Sequence, residues 1–488
     1  MAGIVSFGAF LPRLRLERMA IMASMGWFAP GLITAAKGER TMCNWDEDAL
    51  TMAVAASRDC LIGVDKKKVD GINLASTSLP FADRSNSGVL SATLNLREDI
   101  SAADITGTQK AGTTALSNAL DAVKSAEKKN VLVTASDHRL TKAAWFHEMW
   151  FGDGAASLLI GDDDVVAECL GKYSVTYDFV PHYRGQFEKY DYNWEERWIR
   201  DEGYMKIYPE AINGVLEKAG LKVSDLKKLV YPCFLGRAHG GVGKKVGASA
   251  EQLAQNMHAE SGECGTAHPL VMLVRELETA EPGDKILVAG FGQGADAMVF
   301  EVTDKIKKLP ERMAVSGSLA RKKTEKTYNK YLKFRDLVDT EMGIRAEVSN
   351  QTALSTLWRK RKLILGFVGG KCVKCGTPQI PKERVCVNPD CNAVDAQEDY
   401  EFADQPAKVL TYTADMLAVS YEPPAMYGMI EFTNGGRMMM DFTDCSPQDV
   451  EVGTPVEVHF RKKYFDEERG FTGYFWKAVP EYTAEPEG

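Results

Sequence analysis

The sequence has no run of about 18 uncharged apolar residues, the length that a membrane-spanning helix needs, so no membrane span is expected. It also lacks a positive excess: 59 Lys and Arg stand against 68 Asp and Glu, a formal net charge of −9. Nucleic acid is therefore not expected as the main partner, because phosphate binding needs a positive field. No secretory signal is expected from the opening residues. In MAGIVSFGAFLPRLRLERMA, Arg13, Arg15 and Arg18 follow the apolar stretch, the reverse of such a signal. Without export the ten cysteines do not read as a disulfide scaffold, and a cytoplasmic, reduced protein is expected. Hydrophobic residues at 45% and charged residues at 26% match globular usage and exclude global disorder. The length of 488 residues suggests about three domains.

Two segments of the chain resemble each other. Residues 130–160 run NVLVTASD…FGDGAASLLI, and residues 285–300 run KILVAGFGQGADAMVF. Each holds a β-branched run suited to a buried strand, then Phe-Gly-x-Gly-Ala leading into a second apolar run. Phe151-Gly152-Asp153-Gly154-Ala155 thus matches Phe291-Gly292-Gln293-Gly294-Ala295. Upstream of each strand, apolar residues recur at helical spacing: Ala115, Leu116, Ala119, Leu120 and Val123 in one copy, Leu270, Leu273 and Leu277 in the other. Aligning Val131-Leu132-Val133 with Ile286-Leu287-Val288 sets Gln109 opposite Cys264 and Thr113 opposite His268. Both pairs fall near helix starts, where unpaired N–H groups and the helix dipole favour developing negative charge, as thioester or enolate chemistry requires.

From about residue 311 to 355 a polar, mostly basic stretch reads as a solvated connecting helix rather than a nucleic-acid patch. After it, Cys372-Val-Lys-Cys375 and Cys386-Val-Asn-Pro-Asp-Cys391 give two short cysteine pairs. Such pairs on neighbouring turns place four thiolates tetrahedrally around one metal, zinc before iron, with no open position, so the role is structural. The runs VLTYTA, YGMIEF, RMMMDF, PVEVHF and GYFWKAV between residues 405 and 482 read as five short strands. They fit an OB-type barrel, with an SH3-like barrel as the alternative.

The doubled FGDGAASLLIGDD and ILVAGFGQGAD pattern resembles the thiolase superfamily. With GIVSFGAFLPRLRLER and WDEDALTMAVAA it is most similar to hydroxymethylglutaryl-CoA synthase and ketoacyl synthase type III, over residues 3–303. Residues 345–480 resemble the zinc-ribbon plus OB-fold proteins that accompany acyl-CoA thiolases. The resemblance implies an α/β protein with a duplicated thiolase-like five-layer αβαβα fold, followed by a zinc ribbon and an OB barrel. The expected domains are 1–165 and 166–310 for the two halves, 311–355 for the linker, 356–404 for the ribbon and 405–488 for the barrel. It also implies acyl-CoA as substrate, with the CoA arm in a cleft between the halves near Gly292, Gln293 and Gly294, and a homodimer.

The chemical residues depart from the family pattern at four positions. Gln109 stands where the family has its nucleophilic cysteine, and an amide cannot form an acyl-enzyme. The family's histidine falls on Pro232, beside Cys233, its asparagine on Glu263, and its carboxylate base on Thr77. Gly265-Thr-Ala-His268-Pro269 resembles the Gly-His-Pro turn of degradative thiolases, so His268 is expected to polarise a thioester carbonyl, with Glu263 or Cys264 taking a proton. His239 sits in a glycine-rich loop nearby. The plain alternatives are a capping role for His268 and core packing for Cys233 and Cys264. Three functions are open. The first is C–C bond making or breaking next to a CoA thioester, by aldol or retro-aldol chemistry, without an acyl-cysteine. The second is a thiolase- or synthase-type acyltransferase with Cys264 or Cys233 as relocated nucleophile. The third is a non-catalytic acyl-CoA-binding partner of a thiolase subunit.

Overall fold

The computed structural model describes residues 1–348, 350–351 and 353–482. They divide into two units: Met1–Cys43, Asp48–Gly88 and Leu96–Val338 form the first, and Asn44–Glu47, Val89–Asn95 and the chain from Asp339 onward form the second.

The first unit is built on a nine-stranded mixed sheet. Its strands are β1 (Gly3–Phe10), β2 (Gly71–Ala75), β3 (Ser101–Ile105), β4 (Asn130–Asp137), β5 (Gly154–Gly161), β6 (Ala167–Thr176), β7 (Lys228–Val230), β8 (Lys285–Gly292) and β9 (Gly294–Val302). The order across the sheet is β7-β8-β9-β6-β1-β5-β4-β2-β3. It reads the same from the centre outward in both directions. β1 and β6 meet antiparallel at Gly3–Glu168 and Ile4–Ala167. Each is followed by two antiparallel neighbours and then by a parallel strand, with Gly71 opposite Val131 on one side and Lys228 opposite Ile286 on the other. Where β3 extends the first half, a single parallel bridge from Leu229 to Leu253 extends the second. The duplication expected from the Phe-Gly-x-Gly-Ala repeat is therefore present in the strand order.

Helix α1 (Ala111–Lys124) buries Ala115, Leu116, Ala119, Leu120 and Val123, the stripe that the sequence spacing predicts, and Ala111 with them. Helix α2 (His268–Leu277) is buried on nearly every side, as a helix apolar all round must be. The two lie close in the core: a Cβ on Gly112 would stand 2.2 Å from the Thr266 carbonyl oxygen, so only glycine fits there. Each Phe-Gly-x-Gly turn packs against the loop that precedes the other half's buried helix. A Cβ on Gly152 would meet the Ser261 carbonyl oxygen at 2.0 Å, and one on Gly292 would meet Thr108 Oγ1 at 2.4 Å and the Lys110 nitrogen at 2.9 Å. The repeat thus fixes the two loops that carry Gln109 and Glu263.

The stretch after residue 311 differs from a solvated connecting helix. Helix Ala314–Ala320 buries Ala314, Val315 and Ser318. The strand Lys323–Glu325 pairs with Leu14–Glu17, and helix Tyr328–Phe334 buries Tyr328, Tyr331 and Phe334. The three aromatics recur every third residue with half-buried Lys330 and Lys333 between them, a stripe that the basic composition masks.

In the second unit, the strands Pro378–Gln379, Val368–Cys372 and Gln397–Glu401 form a small antiparallel sheet. The last five strands, β10 (Ala407–Asp415), β11 (Ala425–Phe432), β12 (Arg437–Asp441), β13 (Pro455–Asp466) and β14 (Phe471–Pro480), run in the order β12-β11-β10-β13-β14. A bridge from Phe442 to Ala478 joins the two ends, closing the barrel as in an OB fold. Asn44–Glu47 is anchored in this unit by a buried ion pair, Lys477 Nζ to Asp46 at 2.8 Å, with the lysine also 4.0 Å from the centre of the Trp45 ring.

Candidate active site

A cavity of about 30 Å³ in the first unit is lined by Gln109, Pro232, Cys233, Glu263, Gly265 and Pro269, together with the aromatic rings of Tyr204, Tyr208, Phe234 and Phe291. It holds a water or two, so an acyl group enters only when these side chains shift. Three of the four positions at which the sequence departs from the family pattern meet here: Gln109, Pro232 with Cys233, and Glu263.

Gln109 precedes α1, and its Nε2 is buried without a hydrogen-bond partner. Such a donor beside a cavity is matched by what occupies the cavity, a water or a ligand carbonyl. Glu263 is held by its backbone and its side chain. Its N–H donates to the Trp150 carbonyl at 2.7 Å, its carbonyl accepts from Gly152 at 2.9 Å, and its carboxylate is paired with the Arg139 guanidinium. Burial pulls Arg139 down, but Glu263, Asp191 and Asp137 outweigh it and hold the guanidinium above its ordinary range.

The other expected residues stand differently. His268 is wholly buried, and both its ring nitrogens are engaged by backbone: Nδ1 accepts from the Cys264 N–H at 3.2 Å, and Nε2 lies 3.1 Å from the Asn256 carbonyl oxygen. Burial also lowers its pKa. This is the geometry of a capping, core histidine. Cys264 is buried with its Sγ 3.6 Å from the Asp153 carbonyl oxygen, and burial raises its pKa. Cys233 does line the cavity, yet burial pushes its thiol up to about 12, far from a reactive thiolate. His239, lowered to about 4 by burial, packs on Tyr231 with ring centres 4.6 Å apart and is not among the lining residues. Thr77 donates to Asp137 at 3.1 Å. Gly292 and Gly294 lie against protein backbone, at Lys110 and Val175, so Gln293 is the member of that turn with a side chain to offer.

Sequence reasoning missed Arg139, Tyr204, Tyr208 and Phe234. The two tyrosines carry a signal in their four-residue spacing, and they stack with ring centres 5.8 Å apart. Arg139 carries none, since its partner is 124 residues away.

Buried acids flank the site. Burial pushes Glu148 up to about 7 and Asp153 to about 6. A carboxyl whose folded pKa is raised contributes stability that is complete below its ordinary value of 4.5 and is lost as pH rises through about 7. The denaturant midpoint of the wild type is therefore expected to fall between pH 5 and pH 8 by the equivalent of about 3 kcal/mol more than that of Glu148→Gln. Parallel profiles for the two proteins would show that Glu148 is not the titrating group.

The fold of the first unit is thiolase-like, and the comparisons with known proteins agree with it. Residues 216–302 match the family described as 3-oxoacyl-[acyl-carrier-protein] synthase III, C terminal, and residues 400–461 match the C-terminal OB-fold domain of ChsH2. Among curated proteins, the chain is 28% identical over 347 residues to the hydroxymethylglutaryl-CoA synthase of Methanobrevibacter smithii, covering 69% of this chain and 99% of that one. The corresponding synthase of Archaeoglobus fulgidus is 28% identical over 341 residues, with 69% and 98% covered. Among solved structures, a hydroxymethylglutaryl-CoA synthase complexed with CoA superposes with a TM-score of 0.61 at 17% identity, covering 72% of this chain and 94% of that one. The 3-oxoacyl synthase III of Aquifex aeolicus gives 0.55 at 19%, with 62% and 100% covered. In the second unit, Cys372, Cys375, Cys386 and Cys391 bring their sulfurs within 4.8 Å of one another, a set able to hold a metal ion and consistent with a zinc ribbon. Among the described residues no helix is long and apolar enough to cross a membrane.

Proposed function

We propose that the chain is an acyl-CoA-processing enzyme that makes or breaks the C–C bond next to the thioester by aldol-type chemistry, without an acyl-cysteine. The observation that carries this reading is that one cavity is lined both by an unmatched amide donor, Gln109 Nε2, and by the Glu263 carboxylate, where the only lining thiol, Cys233, is kept protonated by burial. In the cleavage direction Glu263 takes the proton of a β-hydroxyl. The Cα–Cβ bond breaks to leave a carbonyl product, and the electron pair moves into the thioester as an enolate whose oxygen accepts from Gln109. The enolate carbon then recovers the proton from Glu263. Condensation is the reverse. The relatives' names, a synthase acting on a CoA ester and a structure complexed with CoA, support CoA as the carrier. The same reading takes zinc as the ion of the four-cysteine set, and a cytoplasmic homodimer as the working form.

Incubation with a panel of acyl- and β-hydroxyacyl-CoAs, followed by intact-protein mass spectrometry, tests this. Turnover without any adduct is expected, surviving Cys233→Ala and Cys264→Ala. Gln109→Ala should lower kcat by about 10²–10³. A stable acyl adduct on Cys233 or Cys264 would instead establish the acyltransferase reading. Absence of adduct and turnover, with a thiolase co-purifying, would establish the partner-subunit reading.

A further inference from the structure

Outside the cavity wall, Cys43, His138 and Asp153 each bring one ligating atom within 4.8 Å of the other two. Cys43 follows the strand Glu39–Met42, His138 follows β4, and Asp153 lies in the first Phe-Gly-x-Gly turn, so three separate segments converge. The Asp153 side chain is 0% exposed. Its Oδ2 accepts from the Cys43 N–H at 2.8 Å and is paired with Arg335, whereas its Oδ1 is buried with no hydrogen-bond partner. The His138 Nε2 is also buried without a partner, although the His138 backbone N–H is anchored on Ser78 Oγ at 2.7 Å. The Cys43 thiol itself bonds the Asp153 carboxylate, so with the unpartnered Asp153 Oδ1 and His138 Nε2 three ligating groups gather at one place, and buried polar atoms are almost always matched.

The geometry points to a second metal site, with Cys43, His138 and Asp153 as its three protein ligands and a soft, thiolate-seeking cation of the zinc type as its occupant. Arg335 already neutralises most of the Asp153 charge, so a hard ion such as magnesium or calcium would gain little there. A thiolate and an imidazole favour zinc. The thioether of Met52, with its Sδ 3.6 Å from Cys43 Sγ, adds to the soft character. Three protein ligands leave a fourth position open, unlike the four-sulfur set of the ribbon.

The full-length protein, loaded with zinc sulfate and dialysed against zinc-free buffer, is expected to retain about two zinc ions per chain by elemental analysis, one of them in the ribbon. Cys43→Ser and His138→Gln should each retain about one. Loaded with cobalt chloride, the wild type should show visible bands beyond those of a four-thiolate site, and both variants should lose the extra bands. About one zinc per chain in the wild type, with a four-thiolate cobalt spectrum alone, would overturn the proposal. So would a second zinc that persists in both variants. If Cys43→Ser fails to fold, His138→Gln decides, since His138 is only half-buried.

Discussion

Arg139→Met is expected to destabilise the first unit by about 3–5 kcal/mol, the cost of leaving a buried carboxylate without its partner. The side chains of Arg139 and Glu263 are 1% and 11% exposed, so solvent cannot replace the guanidinium. The arginine also lies over the Phe151 ring, its Cζ 3.8 Å from the ring centre, a contact that methionine keeps in part. Removing both charges at once, in Arg139→Met with Glu263→Met, should recover most of the lost stability, because the desolvation penalty disappears along with the attraction. The double variant should nevertheless have no turnover, since the proton carrier has gone. Hydrogen exchange at β4 and β5 reads the stability, and steady-state assay reads the turnover. A loss below about 1 kcal/mol in the single variant would mean that the pair behaves as a solvated one. Equal destabilisation in single and double variants would mean that packing, not charge, is what Arg139 supplies.

The same pair shows where the sequence can be read and where it cannot. The duplicated strand order was visible because Phe151-Gly152-Asp153-Gly154-Ala155 and Phe291-Gly292-Gln293-Gly294-Ala295 must both be glycine-rich to approach the opposite loop. That register set Gln109 opposite Cys264, and the family resemblance singled out the neighbouring Glu263. The direction in which a side chain faces did not follow. His268 stands at a helix start, as spacing suggests, but its ring turns toward Asn256 and the Cys264 N–H. Nothing within a few residues encodes that choice. Arg139, Tyr204 and Phe234 reach the site from distant segments, and the aromatic stripe of Tyr328, Tyr331 and Phe334 was hidden by the lysines between its members. The four cysteines of the ribbon were legible for the opposite reason, since their pairing is local on both sides of one short loop.

Stripping the metal from that ribbon is expected to have the largest effect of all. Cys372 and Cys391 have their sulfurs 3.9 Å apart, and those of Cys375 and Cys386 are 3.5 Å apart. Around them the buried apolar residues are Ala393 and Ala396, with Cys391 partly buried beside them. Two alanines and the buried Ile380 supply little core for the loop between Cys372 and Ala396, because burial of so little apolar area contributes only about 3–4 kcal/mol. Metal binding at four thiolates is worth about 10–16 kcal/mol in comparable small sites, so an ion held here would take the place of a core. A chelator strong enough to remove it, or Cys386→Ser, should therefore unfold residues 372–396 while the nine-stranded sheet keeps its hydrogen-exchange protection. Limited proteolysis should then cut first within that loop, and restoring zinc to the wild type, but not to the variant, should suppress the cuts. An unchanged cleavage pattern after verified loss of the metal would show that the strands Val368–Cys372 and Gln397–Glu401 hold the loop by their own ladder, leaving the cysteines with no structural task.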